Sequence, residues 1–162
     1  MKRKRLSKSE KRDLAEKLKK FGFELKLKKE NLERVKIENE KDVTIIYDLD
    51  SDKSICFWKN QNKEKIFPSL HLVNSFKDKI KKVKVDKGAV KPISNGANLM
   101  VPGIKESDEF NEDDIVKVLF KETPIAIGKT LMDSEEISSK NSGIGIENIH
   151  HIKDYFWDYK LN

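Results

Sequence analysis

Residues 86–104 read DKGAVKPISNGANLMVPGI, and this stretch decides the fold prediction. It holds three of the seven glycines and two of the four prolines in a chain that is 38% charged. Glycine and proline concentrate where a chain turns sharply, or where another molecule must approach the backbone closely. The stretch therefore predicts either a tight connection or a binding loop.

The order of residues in this stretch predicts a strand, a short helix, a glycine turn and a second strand. Asp86 is a suitable helix N-cap. Pro92 limits a helix over residues 89–95 to two turns at most, because proline lacks the N–H that a helix interior needs. Gly96 is the predicted C-cap. Backbone amides at 96–98 would then lack bulky side chains over them, an arrangement that suits phosphate or carboxylate oxygens.

The rest of the second half carries short segments of apolar residues separated by turn residues. Together with the strand before Asp86, these segments predict five strands: 83–85, 99–101, 115–120, 124–132 and 144–152. They leave little room for helix, so the pattern predicts a mainly-β domain, a compact barrel over residues 83–162.

The first half predicts a small α+β domain over residues 1–82, with its boundary near Lys81–Lys82. Ser7 and Glu10 form a capping box, which predicts a helix over 8–21 that ends near Gly22. Alternating residues then predict strands at 23–28, 35–38, 42–49 and 53–58, the last two forming a hairpin, followed by a short strand and a helix over 69–80.

The two halves differ in charge. Residues 1–40 carry 15 Lys and Arg against 8 Asp and Glu, whereas residues 83–162 carry 10 against 14. All of the net charge of +6 therefore comes from the first half. This asymmetry indicates two units with different surfaces, the first attracted to polyanions.

Several classes of protein are disfavoured by what the sequence contains. The single cysteine, Cys56, has no partner for a disulfide or a zinc site, which indicates a reducing cytoplasm. The chain has no apolar run of transmembrane length and no apolar segment after its basic start. His150 and His151 would point to opposite faces of a strand, so they are predicted to be structural. With no nucleophile–base pair and no nucleotide-binding loop, we expect no catalytic residue, no metal and no cofactor.

The stretch VDKGAVKPISNGANLMVPGI, residues 85–104, resembles the signature of the PUA domain, a small RNA-binding pseudo-barrel. The segments IAIGKTLM (125–132) and GIGIENIHHIKDYFW (143–157) resemble its closing strands. The whole chain is similar to a subgroup with a small α+β domain before the PUA domain, the MCT-type oncogene proteins and their archaeal relatives. These are translation-associated factors, so the resemblance implies a non-catalytic RNA-binding protein.

What the resemblance implies is contact with structured RNA, either tRNA or rRNA at the small ribosomal subunit, and a density-regulated-protein-like partner. The predicted RNA-binding residues of the second half are Lys87, Gly88, Ala89, Lys91, Asn95, Gly96, Ala97, Asn98, Met100 and Lys129. In the first half, Lys2, Arg3, Lys4 and Arg5 form either a phosphate-binding arm or a disordered, solubilising tail.

Two alternative functions remain open at this point. The chain could be the tRNA- or rRNA-targeting module of an RNA-modification enzyme. It could also be a protein-interaction adaptor, in which the acidic run at 106–114 contacts a basic protein; the plainer interpretation of that run is a solvated loop.

Overall fold

The computed structural model describes residues 2–37 and 42–161. The chain divides into two compact units, Met1–Lys79 with Tyr159–Asn162 (unit 1) and Ile80–Asp158 (unit 2). Independent folding of the predicted domains 1–82 and 83–162 remains a prediction.

The first helix of unit 1, α1, spans Lys8–Lys19 and begins with the predicted capping box. The Oγ atom of Ser7 accepts a hydrogen bond from the Glu10 amide at 3.1 Å, and the Glu10 carboxylate accepts one from the Ser7 amide at 3.3 Å. The helix ends before the predicted residue 21. Gly22 follows with φ +89°, a backbone conformation that glycine adopts without steric cost.

The sheet of unit 1 contains five antiparallel strands that follow one another in chain order. They are β1 (Lys2–Arg5), β2 (Leu32–Ile37), β3 (Val43–Asp48), β4 (Lys53–Lys59) and β5 (Phe67–Pro68). Strands β3 and β4 form the predicted hairpin. A second helix, α2, spans only Leu70–Ser75 of the predicted 69–80.

The strand predicted at 23–28 is wrong, since these residues join no sheet. Phe23 and Leu27 are buried while the residues between them are exposed or half-buried. Alternating burial needs only an extended chain lying on a core, and does not require a neighbouring strand to pair with. The last residue of the strand predicted at 35–38, Glu38, lies outside the described residues.

Residues 159–161 follow unit 2 in the chain but belong to unit 1. The ring of Tyr159 packs edge-on against that of Tyr47, with centroids 5.8 Å apart. The Lys160 ammonium donates a hydrogen bond to the backbone oxygen of Asp52 at 2.8 Å. Burial, together with a hydrogen bond to the Asp52 carboxylate, raises the pKa of Tyr47. Residues 159–161 thus complete a part of unit 1 that lies far earlier in the chain.

Unit 2 contains the five predicted strands, one further strand and three helices. In chain order these are β6 (Lys82–Val85), α3 (Lys87–Ser94), β7 (Leu99–Met100), β8 (Ile104–Ser107), β9 (Ile115–Phe120), β10 (Thr123–Thr130), α4 (Ser134–Ser139), β11 (Ile144–His151) and α5 (Tyr155–Asp158). The expectation of little room for helix was wrong. Asp133 caps the N-terminus of helix α4, and its carboxylate accepts a hydrogen bond from the Glu136 amide at 2.8 Å.

The six-stranded sheet of unit 2 has the order β7-β11-β10-β9-β6-β8, so its two edge strands are neighbours in the sequence. The 3-10 turn Val101–Gly103 joins them. The four residue steps from Met100 to Ile104 span at most about 14 Å. The outer strands of a flat six-stranded sheet would stand about 24 Å apart. The sheet therefore curls back on itself into a half-barrel, in agreement with a PUA pseudo-barrel.

Two helices pack on strand β11 in unit 2. Helix α3 contacts β10 and β11, and α5 contacts β11. His150 is fully buried and packs edge-on against Phe156 of α5, with ring centroids 5.7 Å apart. The hydrophobic core of unit 2 is a cluster of buried side chains: Val83, Val85, Ile93, Leu99, Val101, Phe110, Val116, Val118, Ile125, Ala126, Met132, Ile137 and Ile146.

Candidate nucleic-acid interface

Helix α3 ends in a Schellman motif that shapes the predicted glycine turn. Asn95 is the C-cap, and Gly96 follows with φ +93°, in the left-handed region that favours glycine. The Gly96 amide donates to the Ile93 carbonyl at 3.0 Å, and the Ala97 amide donates to the Pro92 carbonyl at 2.9 Å. The expectation that these two amides serve phosphate was wrong, because helix capping already uses both.

Asn148 of β11 holds the same turn from the other side. Its Nδ2 group donates to the carbonyl of Ile93 at 3.0 Å and to that of Ala97 at 2.9 Å. Its backbone amide donates to Oδ1 of Asn98 at 2.9 Å. The turn is therefore fixed by its helix cap and by three bonds from one asparagine. The sequence did not single out Asn148, since the role depends on a contact across about 50 residues of chain.

The positive charge near the turn lies on helix α3. Lys87 and Lys91 stand four residues apart, so they share one face of the helix, and both are exposed. Neither forms an ion pair with any residue in the described ranges. Like charges at this spacing destabilise a helix, and a bound anion between them would relieve the repulsion. The pair is suited to a phosphate group.

Most of the predicted residues of the second half lie on helix α3, in the turn that follows it and at the end of β7. We call the exposed ones the turn surface: Lys87, Gly88, Lys91, Asn95, Gly96, Ala97, Asn98 and Met100. Met100 is 47% exposed and stands opposite Ile144 in the sheet. Ala89 is different, since it is half-buried and packs against the core of unit 2.

Lys129 is not brought to the turn surface. It follows Gly128 on β10, and Gly128 lines a small cavity together with Ala97, so Lys129 points to the other side of the sheet. Its ammonium lies 3.9 Å from the carboxylate of Asp113 and 3.7 Å from that of Glu147. Two carboxylates therefore already balance its charge.

The basic N-terminal segment is an ordered strand, which contradicts the disordered-tail alternative. Lys2–Arg5 form β1, pair with β2 and are exposed. The Nε atom of Arg3 donates to Glu33 at 3.0 Å, and the ammonium of Lys4 lies 4.0 Å from Glu10. The four cations thus form an exposed edge whose charge is partly neutralised.

His150 and His151 point to opposite sides of the strand, as predicted. Nδ1 of the buried His150 lies 2.8 Å from Oδ2 of Asp154. Burial alone would raise the pKa of Asp154, but hydrogen bonds from His150 and from the amides of His151 and Trp157 outweigh it and lower that pKa. This pair anchors α5 to β11.

Comparison with known proteins agrees with this geometry. The PUA domain family matches residues 81–152. The translation machinery-associated protein 20 of Schizosaccharomyces pombe is 37% identical over 147 residues, covering 86% of this chain and 78% of that protein. The chain belongs to the family of translation machinery-associated protein 20. Malignant T-cell-amplified sequence 1 of Rattus norvegicus is 34% identical over 106 residues, covering 62% of this chain and 58% of that protein.

A solved structure shares the complete architecture of this family member. The crystal structure of a hypothetical protein from Pyrococcus horikoshii OT3 superposes with a TM-score of 0.79 at 29% identity, covering 99% of this chain and 100% of that one. Relatives of this chain are named for the translation machinery. The PUA domain is an RNA-binding domain. These two findings associate the chain with RNA and translation. No helix within residues 2–37 and 42–161 is long and apolar enough to cross a membrane.

Proposed function

We propose that this protein is a non-catalytic, cytoplasmic RNA-binding factor of translation, which contacts tRNA or the rRNA of the small ribosomal subunit through the turn surface. One observation carries the proposal. Two lysines without acidic partners in the described chain share one face of helix α3, which ends in a fixed turn that lacks bulky side chains, in the PUA domain of a family named for the translation machinery.

Each part of the turn surface has a separate task in this proposal. Lys87 and Lys91 neutralise phosphates of the RNA backbone. Gly96 and Ala97 let the nucleotide come close, because they carry no bulky side chain. The Schellman motif and Asn148 hold the turn in one conformation before RNA arrives, which lowers the entropy lost on binding.

The basic strand β1 supports binding in a less specific way. Residues 83–162 carry more acidic than basic side chains, so long-range attraction of RNA to this half alone would be weak. The exposed cations of β1 add attraction that does not depend on nucleotide sequence. RNA affinity in this scheme needs both units, whereas selectivity comes from the turn surface.

Sedimentation of cell extract on a sucrose gradient tests this function. We expect the protein in the small-subunit fractions, and Ala97→Glu at the top of the gradient because a carboxylate in the turn repels phosphate. Asn141→Glu, the same change in charge in an exposed loop, should sediment like the wild type.

The same gradient separates the alternative functions. Co-migration with a modification enzyme, away from ribosomal subunits, would favour a tRNA-targeting module. Association that survives nuclease treatment would favour a protein-interaction adaptor. A density-regulated-protein-like partner should co-migrate with the protein in the small-subunit fractions if the proposal is right.

A further inference from the structure

A β-bulge places two polar side chains of β11 on the same face, below the turn surface. Strand β11 pairs with β10 in a register that skips Ile149: His151 stands opposite Ala126, and Asn148 opposite Gly128. Residues that stand opposite each other share a face of the sheet, and residues two apart on β10 do so too. Asn148 and His151 therefore lie on one face, although a regular strand would place residues three apart on opposite faces.

The hydrogen bonding of His151 leaves an acceptor on this face. Nδ1 lies 2.8 Å from the backbone oxygen of Ile152. Because a carbonyl oxygen can only accept, Nδ1 carries a proton, and in the neutral ring Nε2 is an acceptor. No residue in the described part of the chain donates to Nε2.

Gly96 leaves the space beside Nε2 open. A Cβ atom at Gly96 would stand 3.4 Å from Nε2 of His151, in close van der Waals contact. Any longer side chain would extend over the ring nitrogen. The glycine thus serves both the left-handed turn and access to His151 from the turn surface.

Asn148 carries a second acceptor without a described donor on the same face, and this one is buried. Both hydrogens of its Nδ2 group are engaged by carbonyl oxygens, which fixes the orientation of the amide. Its Oδ1 atom is buried, and none of the described residues donates to it. Asn148 lines a small cavity together with Ala97 and Gly128. The side chains of β11 at the turn thus carry two acceptors without a donor within residues 2–37 and 42–161, while helix α3 carries the positive charge.

We propose that Nε2 of His151 determines specificity at the turn surface by accepting a hydrogen bond from an N–H or O–H group of a bound nucleotide. This inference rests on the proposed RNA-binding function. The phosphodiester backbone has no hydrogen to donate, so the donor is the ribose 2′-hydroxyl or a base amino group. Lys87 and Lys91 would hold the backbone while His151 reads the sugar or the base.

Three single-stranded probes of equal length distinguish the two donors: oligoribocytidine, oligodeoxycytidine and an abasic deoxyribose oligomer. His151→Phe keeps a planar ring and removes the acceptor. A loss of about fivefold in affinity for the ribose probe alone identifies the 2′-hydroxyl. The same loss for both cytidine probes, but not for the abasic one, identifies the base. Equal losses for all three probes, or no loss, overturn the proposal.

Further measurements separate this inference from the proposed function and from misfolding. Ala97→Glu should weaken binding of all three probes; if it has no effect, the proposed RNA-binding function itself fails. His71→Phe, the same replacement on helix α2 of unit 1, should leave affinity unchanged. In wild-type protein labelled with ¹⁵N, the Nε2 resonance of His151 should shift on adding oligoribocytidine and not on adding the abasic probe. An unchanged resonance also overturns the inference.

Discussion

The two units of this protein differ in glycine content, in the topology of their sheets and in charge. Unit 1 contains one of the seven glycines and unit 2 contains the other six. The sheet of unit 1 follows chain order with antiparallel pairing and one register shift, whereas that of unit 2 curls and has register shifts in four of its ladders. The excess positive charge lies in the first half of the chain, yet the most sharply shaped surface lies in the second. Under the proposed function, charge attracts RNA without selectivity, and the shape of the backbone decides where RNA is held.

Gly128 should show the largest effect, because unit 2 has no space for a side chain there. A Cβ atom at this position would collide with Ile146 and stand 2.9 Å from the backbone oxygen of Glu147. We expect Gly128→Ala to lower the free energy of unfolding of unit 2 by about 2–3 kcal/mol. The control is Gly88→Ala in helix α3, which should stabilise by roughly 0.5–1 kcal/mol.

Each unit carries one tryptophan, Trp58 in unit 1 and Trp157 in unit 2, so fluorescence can follow both. Denaturation of the Gly128→Ala protein in Trp58→Phe and Trp157→Phe backgrounds should shift only the Trp157 transition. Equal shifts of both transitions would mean that the units unfold together, and the prediction of domains 1–82 and 83–162 would be wrong.

Ala97→Glu should produce the next largest effect, on binding rather than on stability. We expect at least a tenfold loss of affinity for structured RNA, about 1.4 kcal/mol, through steric blockage and phosphate repulsion. The melting temperature should stay near that of the wild type, because Ala97 is exposed. If the well-folded variant binds RNA normally, the turn has only a structural role, and the RNA-binding face must lie on unit 1.

Removing charge from β1 tests whether the exposed cations of unit 1 contribute to RNA binding. Combined Lys2→Gln, Lys4→Gln and Arg5→Gln should weaken RNA binding about fivefold and reduce the slope of log affinity against log salt by roughly two to three. Arg3→Gln alone should matter less, since Glu33 already neutralises Arg3. Substitution keeps the strand that pairs with β2, which truncation would remove. An unchanged slope would show that β1 does not touch RNA.

The smallest effect should come from single lysines of the turn surface. Lys91→Gln should weaken binding about threefold and lower the salt slope by about 0.7–0.9, the range for one phosphate contact on single-stranded or duplex nucleic acid. Lys87→Gln should behave in the same way. Lys140→Gln is the matched control, because Lys140 pairs with Glu136 on α4 and lies outside the turn surface. Equal losses of RNA affinity in Lys87→Gln, Lys91→Gln and Lys140→Gln would indicate a general effect of net charge and no specific contact at the turn surface.

The features that the sequence predicted well depend on local signals. The capping box of Ser7 and Glu10 involves residues three apart, and the β3–β4 hairpin has alternating strands around an acidic turn. The Asp133–Glu136 cap of α4 is a signal of the same kind that was missed. The glycine turn itself was predicted, but not that a Schellman motif uses the Gly96 and Ala97 amides, although C-capping requires it.

What the sequence could not show depends on register between distant strands. Asn148 reaches the turn through a contact across about 50 residues of chain, and His151 shares its face only because β11 skips one residue against β10. A single bulge reverses the face of every later side chain, and no local pattern around Ile149 marks it. The placement of Lys129 away from the turn surface follows from the same alternation along β10.

The return of residues 159–161 to unit 1 has a consequence for synthesis of the protein. Tyr159 and Lys160 contact Tyr47 and Asp52, yet the ribosome makes all of unit 2 between the two parts. At roughly 5–20 residues per second, translating unit 2 takes about 4–16 s. During that time nascent unit 1 lacks its final packing, and Tyr47 stands without its aromatic neighbour. The first unit to emerge from the ribosome is therefore the last to be finished.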